Sequence, residues 1–416
     1  MKRIDVVIVG GGQAGLAMSR SLSALGVEHV VLERGRIGER WRSASWDSLR
    51  LLTPRWLSRL GAWDDGRGAP GDFMHHTELV DYLERFSSRF AVPMRAGVAV
   101  RAVEREAGGY RVETTVGTFH ARACVVATGA CQQPGVPRMA RDLAGWAHQV
   151  VATTYRRPDE LPEGGVLVVG ASATGVQLAD EIHASGRPVT LAVGRHTRLP
   201  RRYRGRDILE WLHHMGSLRE RAEDVHDLAA SRGQPSLQLV GGGDRDALDL
   251  RTLQTAGVRL VGRAEGIDGG RMHFADELVE TLAAADIKLA GLRLRIDRFI
   301  RESGIAAGPD EPFRPVPLTD APNTLDLRDA GIRTVVWATG FRRRYPWLRV
   351  PVLGPTGEIR HRGGVTPASG LVVLGLPFQR HRSSTFIDGV GRDADALAHH
   401  LVRVLTRHRP APRAVA

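Results

Sequence analysis

A chain of 416 residues, 42% hydrophobic and 25% charged, is long enough to bury a substantial core and to divide into two or three domains. No stretch approaches the roughly 18 uninterrupted apolar residues that a membrane span requires, and the opening MKRIDVVIVGGG runs straight into a strand and a glycine turn instead of a secretion signal, so a cytoplasmic protein without a membrane partner is expected. The formal charge of +12 is almost entirely arginine, with Lys2 and Lys288 the only lysines, and the basic clusters Arg195 to Arg206 and Arg342 to Arg344 carry no interleaved aromatics, which argues against nucleic acid and for a phosphate-bearing cofactor.

The first element is an apolar strand, Ile4 to Val9, which enters the turn Gly10-Gly11-Gly12-Gln13-Ala14-Gly15 and then the helical pattern Leu16 to Leu25. A second strand, His29 to Leu32, ends on Glu33, 18 residues after Gly15. Strand, glycine turn, helix, strand and acid in this order define a βαβ dinucleotide site. Gly10 permits the tight turn, Gly12 lets a pyrophosphate approach the helix N-terminus, and Gly15 allows the helix to pack closely on the strand. Glu33 is then the acceptor for a ribose hydroxyl, and FAD is the expected occupant, with Gln13, Ala14 and Arg34 at its edge.

The next informative strand, Cys124 to Ala127, stops on Thr128-Gly129. Cys124 and Cys131 are the only cysteines and form no CxxC, which argues against a disulfide framework, a metal site and a dithiol relay.

The βαβ grammar then recurs. The strand Val166 to Val169 leads into Gly170-Ala171-Ser172-Ala173-Thr174-Gly175 and the helix Val176 to Ala184, with Ser172 in place of the middle glycine. After the following strand, Val189 to Val193, no acid appears; Arg195 and Arg198 stand there instead and suit the 2′-phosphate of NADPH, the alternative being an ordinary solvated face. Further on, the strand Thr334 to Ala338 also ends on Thr-Gly, at Thr339 and Gly340.

These elements predict an α/β fold with two Rossmann-like dinucleotide-binding domains, the NADPH domain inserted into the FAD domain. The prolines at 158, 162, 309, 312, 315 and 317 place the crossings: residues 1–158 as the first part of the FAD domain, 159–311 as the NADPH domain, 312–407 as the returning segment and 408–416 as a disordered tail. Helical insertions are expected at 208–237 and 276–303, either capping a substrate cavity or forming a contact in a homodimer.

With these motifs in place, the chain resembles the class B flavin monooxygenases, over nearly its whole length. The likeness extends to Trp41-Arg42, to Trp46-Asp47-Ser48-Leu49-Arg50-Leu51-Leu52-Thr53-Pro54, to the helix Glu78 to Phe86 and to Gly375-Leu376-Pro377 with Gly389-Val390-Gly391 opening a last helix. The resemblance implies that Trp41, Arg42 and Thr53 contact the flavin and that the helix containing Gly389 points its N-terminus toward the ring, where it favours developing negative charge. One departure stands out: the family's aromatic-glycine-histidine fingerprint falls on Leu143-Ala144-Gly145-Trp146-Ala147-His148, with Leu143 in the aromatic's place and His148 one residue early. Either the fingerprint carries a deletion or His148 is a surface histidine.

The activity this resemblance implies is reduction of FAD by NADPH, formation of a flavin C4a-(hydro)peroxide with O2 and transfer of one oxygen atom to a small organic substrate. Asp47, Arg50 and Arg382 are the candidate catalytic residues. Two other functions fit the same motifs: an NADPH-dependent flavin oxidase, reductase or dehydrogenase without oxygen transfer, and a non-catalytic redox sensor.

Overall fold

A computed structural model describes residues 2–143, 145–242, 247–317 and 321–407. The segment 408–416, expected to be a disordered tail, lies outside the described residues.

The first unit is built on β1 (Lys2–Val9), α1 (Gln13–Ala24), β2 (His29–Leu32), α2 (His76–Arg89), β3 (Met94–Arg95), β4 (Val100–Glu106), β5 (Gly109–Thr114) and β6 (Gly117–Val126). β3, β2, β1 and β6 lie side by side in parallel. β5 and β4 extend the sheet as an antiparallel hairpin on the first half of β6. Val6, Val7 and Ile8 have no exposure, because helices cover one face of the sheet and a loop layer the other. That burial on both faces is why β1 reads as an unbroken apolar run instead of an alternation.

The second unit follows: β7 (His148–Val151), β8 (Gly165–Val169), α3 (Ala173–Ala184), β9 (Val189–Ala192), α4 (Ile208–His214), α5 (Leu250–Ala256), β10 (Arg259–Val261), α6 (Leu278–Ser303) and β11 (Ile332–Trp337). Its sheet is parallel throughout, in the order β10-β9-β8-β11-β7. The 208–237 insertion and α6 pack on each other through Ile208, Trp211, Leu289, Leu292 and Ile296.

The chain then returns to the first unit through β12 (Leu371–Val373), which pairs with the second half of β6, and α7 (Ile387–Arg407), which lies against α1. α7 buries Ile387, Val390, Ala394, Leu397, Leu401 and Leu405, the three- and four-residue spacing of an amphipathic helix. Leu401 has no exposure, and its truncation to Ala costs about 2–5 kcal/mol.

This pairing moves the expected crossings. The strand ending on Thr339-Gly340 belongs to the second sheet, between β8 and β7, and not to the returning segment 312–407; β7 likewise precedes the expected start at 159. The strand that closes the first sheet is β12. Where the chain crosses between units, Gln133–Pro134 and Phe341–Arg342 pair as an antiparallel ribbon. His148 is exposed at the start of the edge strand β7, as a surface histidine, while Leu143 is fully buried.

Candidate cofactor and active site

At the C-terminal ends of β1 and β6 the first glycine turn is shaped by backbone contact. Gly10 has φ +113°, and a Cβ there would lie 2.5 Å from the Ala127 carbonyl oxygen; a Cβ on Gly15 would lie 1.9 Å from the Gly10 carbonyl oxygen. Both must be glycine for the apoprotein to pack. Gly12 is different. Its φ of −83° and ψ of −172° suit any residue, and a Cβ would meet nothing within 4 Å. The space before it is therefore open, at the N-terminus of a helix that has no side-chain cap, where free amides favour an anion. The Glu33 carboxylate borders that space, accepting from the amides of Gly11 at 2.6 Å and Gly35 at 2.9 Å. Ala14 is buried, and the Gln13 side chain reaches Thr385 ahead of α7. Arg34 is exposed beside Glu33. Turn, acid and open space together fit the pyrophosphate and ribose of a dinucleotide.

The second turn repeats this geometry. Gly170 has φ +110° with its Cβ position 2.5 Å from the Ala338 carbonyl oxygen, and the Cβ position of Gly175 is 1.7 Å from the Gly170 carbonyl oxygen. Ser172 takes the conformation of Gly12, φ −83° and ψ −173°, with no capping bond from its side chain. Its hydroxyl and that of half-buried Thr174 are thus available at the start of α3. The substitution of serine for glycine leaves the backbone path unchanged.

The two arginines after β9 have different fates. Arg195 is exposed and makes no ion pair among the described residues, so it remains open to a 2′-phosphate. Arg198 is buried, with Nε 2.6 Å from Asp249 and Nη1 2.5 Å from Asp286. The expectation that Arg198 binds the nucleotide is corrected: two carboxylates occupy its guanidinium, and it ties the strand end to the N-cap of α5 and to α6.

The remaining expected contacts sit in different local surroundings. Thr128 and Gly129 follow β6, where Gln132 donates to the Thr128 hydroxyl at 3.0 Å. The Thr339 hydroxyl donates to Gly135 at 3.0 Å and the Gly340 carbonyl accepts from Gly135 at 2.8 Å, so the two Thr-Gly endings are joined through the crossing ribbon. Trp41 packs half-buried on the first core. Arg42 is paired with Glu84 and donates to the Ile37 carbonyl at 3.0 Å, so its guanidinium is committed within the protein. Thr53 shares a 2.7 Å hydrogen bond with Ser58. At Gly389 a Cβ would sit 1.8 Å from the Ser383 carbonyl oxygen, which makes this glycine a requirement of loop packing on α7.

Asp47, Arg50 and Arg382 do not converge: among the described residues no hydrogen bond or ion pair joins any two of them. Asp47 has an exposed carboxylate 3.8 Å from Arg157, while its backbone accepts from His75 and donates to the Arg156 carbonyl at 2.9 Å. Arg50 donates to the Phe73 carbonyl at 3.1 Å and lines a cleft of about 900 Å³ between the units, opposite Asp180 and Gly241. Arg382 is held by Glu220, its Nε at 2.8 Å. That pair belongs to a contact invisible in local sequence: Leu218 to Ala222 of the insertion runs antiparallel to Arg380 to Ser383, with bonds Ser383 to Leu218, Arg382 to Glu220 and Ala222 to Arg380.

Cys124 is fully buried, which pushes its thiol up to about 12 and leaves it inert at neutral pH. With Cys131 the only other cysteine, the chain holds no dithiol relay.

Two glycine-turn units whose crossing segments pair as a ribbon define a two-dinucleotide-binding-domain oxidoreductase. The profile of the pyridine nucleotide-disulphide oxidoreductase family matches residues 7–213. An uncharacterized CzcO-like oxidoreductase of Geobacillus kaustophilus is 31% identical over 407 residues, 96% of this chain and 98% of that protein. A protein of Arabidopsis thaliana named a probable indole-3-pyruvate monooxygenase is 32% identical over 178 residues, 42% of this chain and 43% of its own. The flavin-containing monooxygenase of Stenotrophomonas maltophilia shares the fold, with a TM-score of 0.67 at 18% identity, covering 97% of this chain and 99% of that one. The chain belongs to the family of the CzcO-like oxidoreductases, and its matches are consistent with the class B flavin monooxygenases. It is a flavin-dependent oxidoreductase, and FAD and NADPH are the cofactors of its family.

Proposed function

We propose that the protein is an FAD-dependent, NADPH-consuming monooxygenase that places one atom of O2 on the nitrogen, sulfur or carbonyl carbon of a small organic substrate. The observation carrying this reading is the repeated turn geometry at Gly12 and Ser172 on two units joined by the Gln133–Pro134 and Phe341–Arg342 ribbon, in a chain without a dithiol to take electrons elsewhere. When bound, the flavin supplies the redox chemistry that activates O2.

The chain's own residues bind and orient. The amides of the first turn hold the FAD pyrophosphate, and Glu33 accepts from its ribose. The second turn holds the NADPH pyrophosphate, with Arg195 on the 2′-phosphate. Thr53 and the N-terminal end of α7 would border the flavin ring. Trp56 meets His213 of α4 edge to face, ring centres 5.2 Å apart, so the segment that follows Thr53 packs on α4. Arg50, facing the open cleft, is the residue of the three that we assign to substrate or nucleotide contact.

The test is incubation of the FAD-loaded protein with NADPH and ¹⁸O2 over a panel of amines, sulfides and ketones. Incorporation of one labelled atom into a product, with the other released as water, supports a monooxygenase. Conversion of all consumed NADPH to hydrogen peroxide across the panel assigns the protein to the oxidase or reductase reading.

A further inference from the structure

Arg201 is a charged residue that neither turn nor the resemblance accounts for, yet it is one of the most deeply buried side chains in the molecule, 1% exposed. It stands in the second unit, two residues after buried Leu199, and its guanidinium reaches three separate segments. Nη1 donates to the Leu52 carbonyl of the first unit at 2.8 Å and to the Val240 carbonyl at 3.2 Å. Nη2 donates to Asp207 at 2.6 Å, and the ring of Phe73 lies 5.0 Å from its centre. Nε is buried without a partner, so the site accepts an imperfect fit to keep the cation where it is.

Two of these contacts bear on the segment that carries Thr53 and on α4. Leu52 immediately precedes Thr53, and its carbonyl fixes the height of the segment that runs to Trp56. Asp207 caps α4, accepting from the Leu209 amide at 2.7 Å, while the Arg201 carbonyl accepts from Ile208 at 2.9 Å. α4 in turn carries His213 to Trp56. One planar guanidinium thus spans the joint between the units and ties the segment before Thr53 to the cap of α4. A lysine, with a single point of charge, cannot meet the Leu52, Val240 and Asp207 oxygens in this fork.

We propose that Arg201 is a positioning residue: it transmits the docking of the second unit to the Leu52 to Trp56 backbone and to α4, and so holds the nicotinamide and the flavin at hydride-transfer geometry. This inference rests on the function proposed above. In the reduction concerned, NADPH gives up a hydride to leave NADP⁺, and the flavin takes the two electrons with that hydrogen.

The experiment compares FAD-loaded wild type with Arg201→Met and Arg201→Lys, and with Asp207→Asn, which retains a capping side chain but removes the counter-charge. Two readouts are needed: the anaerobic rate of flavin reduction at increasing NADPH, and backbone hydrogen exchange over 52–57 and 207–214. We expect the limiting reduction rate to fall at least tenfold in Arg201→Met and less in Asp207→Asn, with the NADPH dissociation constant changed less than twofold, because Gly170 to Gly175 and Arg195 are untouched. Exchange in both segments should rise together, and Arg201→Lys should restore neither fully. An unchanged limiting rate and unchanged exchange, or full rescue by lysine, would overturn the proposal. Should Arg201→Met fail to fold, Asp207→Asn carries the same test. If wild-type flavin is not reduced by NADPH at all, the proposed function fails, and the coupled exchange of the two segments still decides whether Arg201 orders both of them.

Discussion

The side-chain amide of Gln13 donates to the carbonyl of Thr385 at 2.9 Å, joining residues 372 positions apart. This bond ties the first glycine turn to the entry of α7. Gln13→Ala removes a partly buried hydrogen bond worth about 1 kcal/mol. The expected result is a several-fold weaker FAD dissociation constant with little change in the melting temperature of the apoprotein, measured by flavin fluorescence titration and calorimetry. Equal loss of both would mean that the bond only stabilises the fold.

Gly12 and Gly15 make a contrasting pair. A methyl at Gly12 meets no protein atom, whereas a methyl at Gly15 collides with the Gly10 carbonyl. Gly12→Ala should therefore fold with near wild-type stability and fail to retain FAD, while Gly15→Ala should be destabilised even without cofactor, by about 1–3 kcal/mol or more, as overpacking typically costs. Thermal melts of the apoproteins beside their flavin content separate the two. A yellow Gly12→Ala protein would remove this turn from the FAD site.

Arg195 and Arg198 stand three residues apart and should respond to substitution in different ways. Arg195→Ala is expected to raise KM for NADPH roughly tenfold, about 1.4 kcal/mol, and to leave KM for NADH within twofold, since only NADPH carries the 2′-phosphate. Arg198→Ala strands Asp249 and Asp286 in the interior and should cost about 3–5 kcal/mol of stability without changing the ratio of the two nucleotides. Steady-state kinetics with both nucleotides, together with denaturant unfolding, provide the check.

His361 imposes a pH limit on the fold. Burial first, then the nearby charges of Arg232 and Arg343, lower its pKa from 6.5 to about 4, and its Nδ1 accepts from the Gly364 amide at 3.2 Å, which requires the neutral ring. Because the folded value lies below the unfolded one, this contribution to stability is complete above pH 6.5 and is lost as the pH falls toward 4. Relative to His361→Gln, wild type should lose about 2 kcal/mol more between pH 7 and 4.5, allowing for partial solvent screening. Parallel loss in the two proteins across that range would show that the ring is protonated freely in the folded state.

Local order was legible in the sequence alone. A strand, a glycine turn, a helix and a second strand lie within about thirty residues in each unit, and backbone sterics at Gly10, Gly15, Gly170 and Gly175 act between near neighbours, so spacing suffices to find both cofactor turns. The substitution at Ser172 was legible too, because its conformation is one any residue adopts.

Partnership between distant segments was decided only by the tertiary structure. A parallel strand buried on both faces shows no alternation, and so the pattern Thr334 to Ala338 did not reveal which of two sheets it joins. The role of an arginine depends on which carboxylates meet it: Arg198 finds Asp249 and Asp286, 51 and 88 positions away, while Arg195 finds solvent. The same holds for Arg382 with Glu220 and for Arg201 at the joint between the units, where long-range packing, and not residue type, sets whether a guanidinium binds ligand, latches two segments or ties one unit to the other.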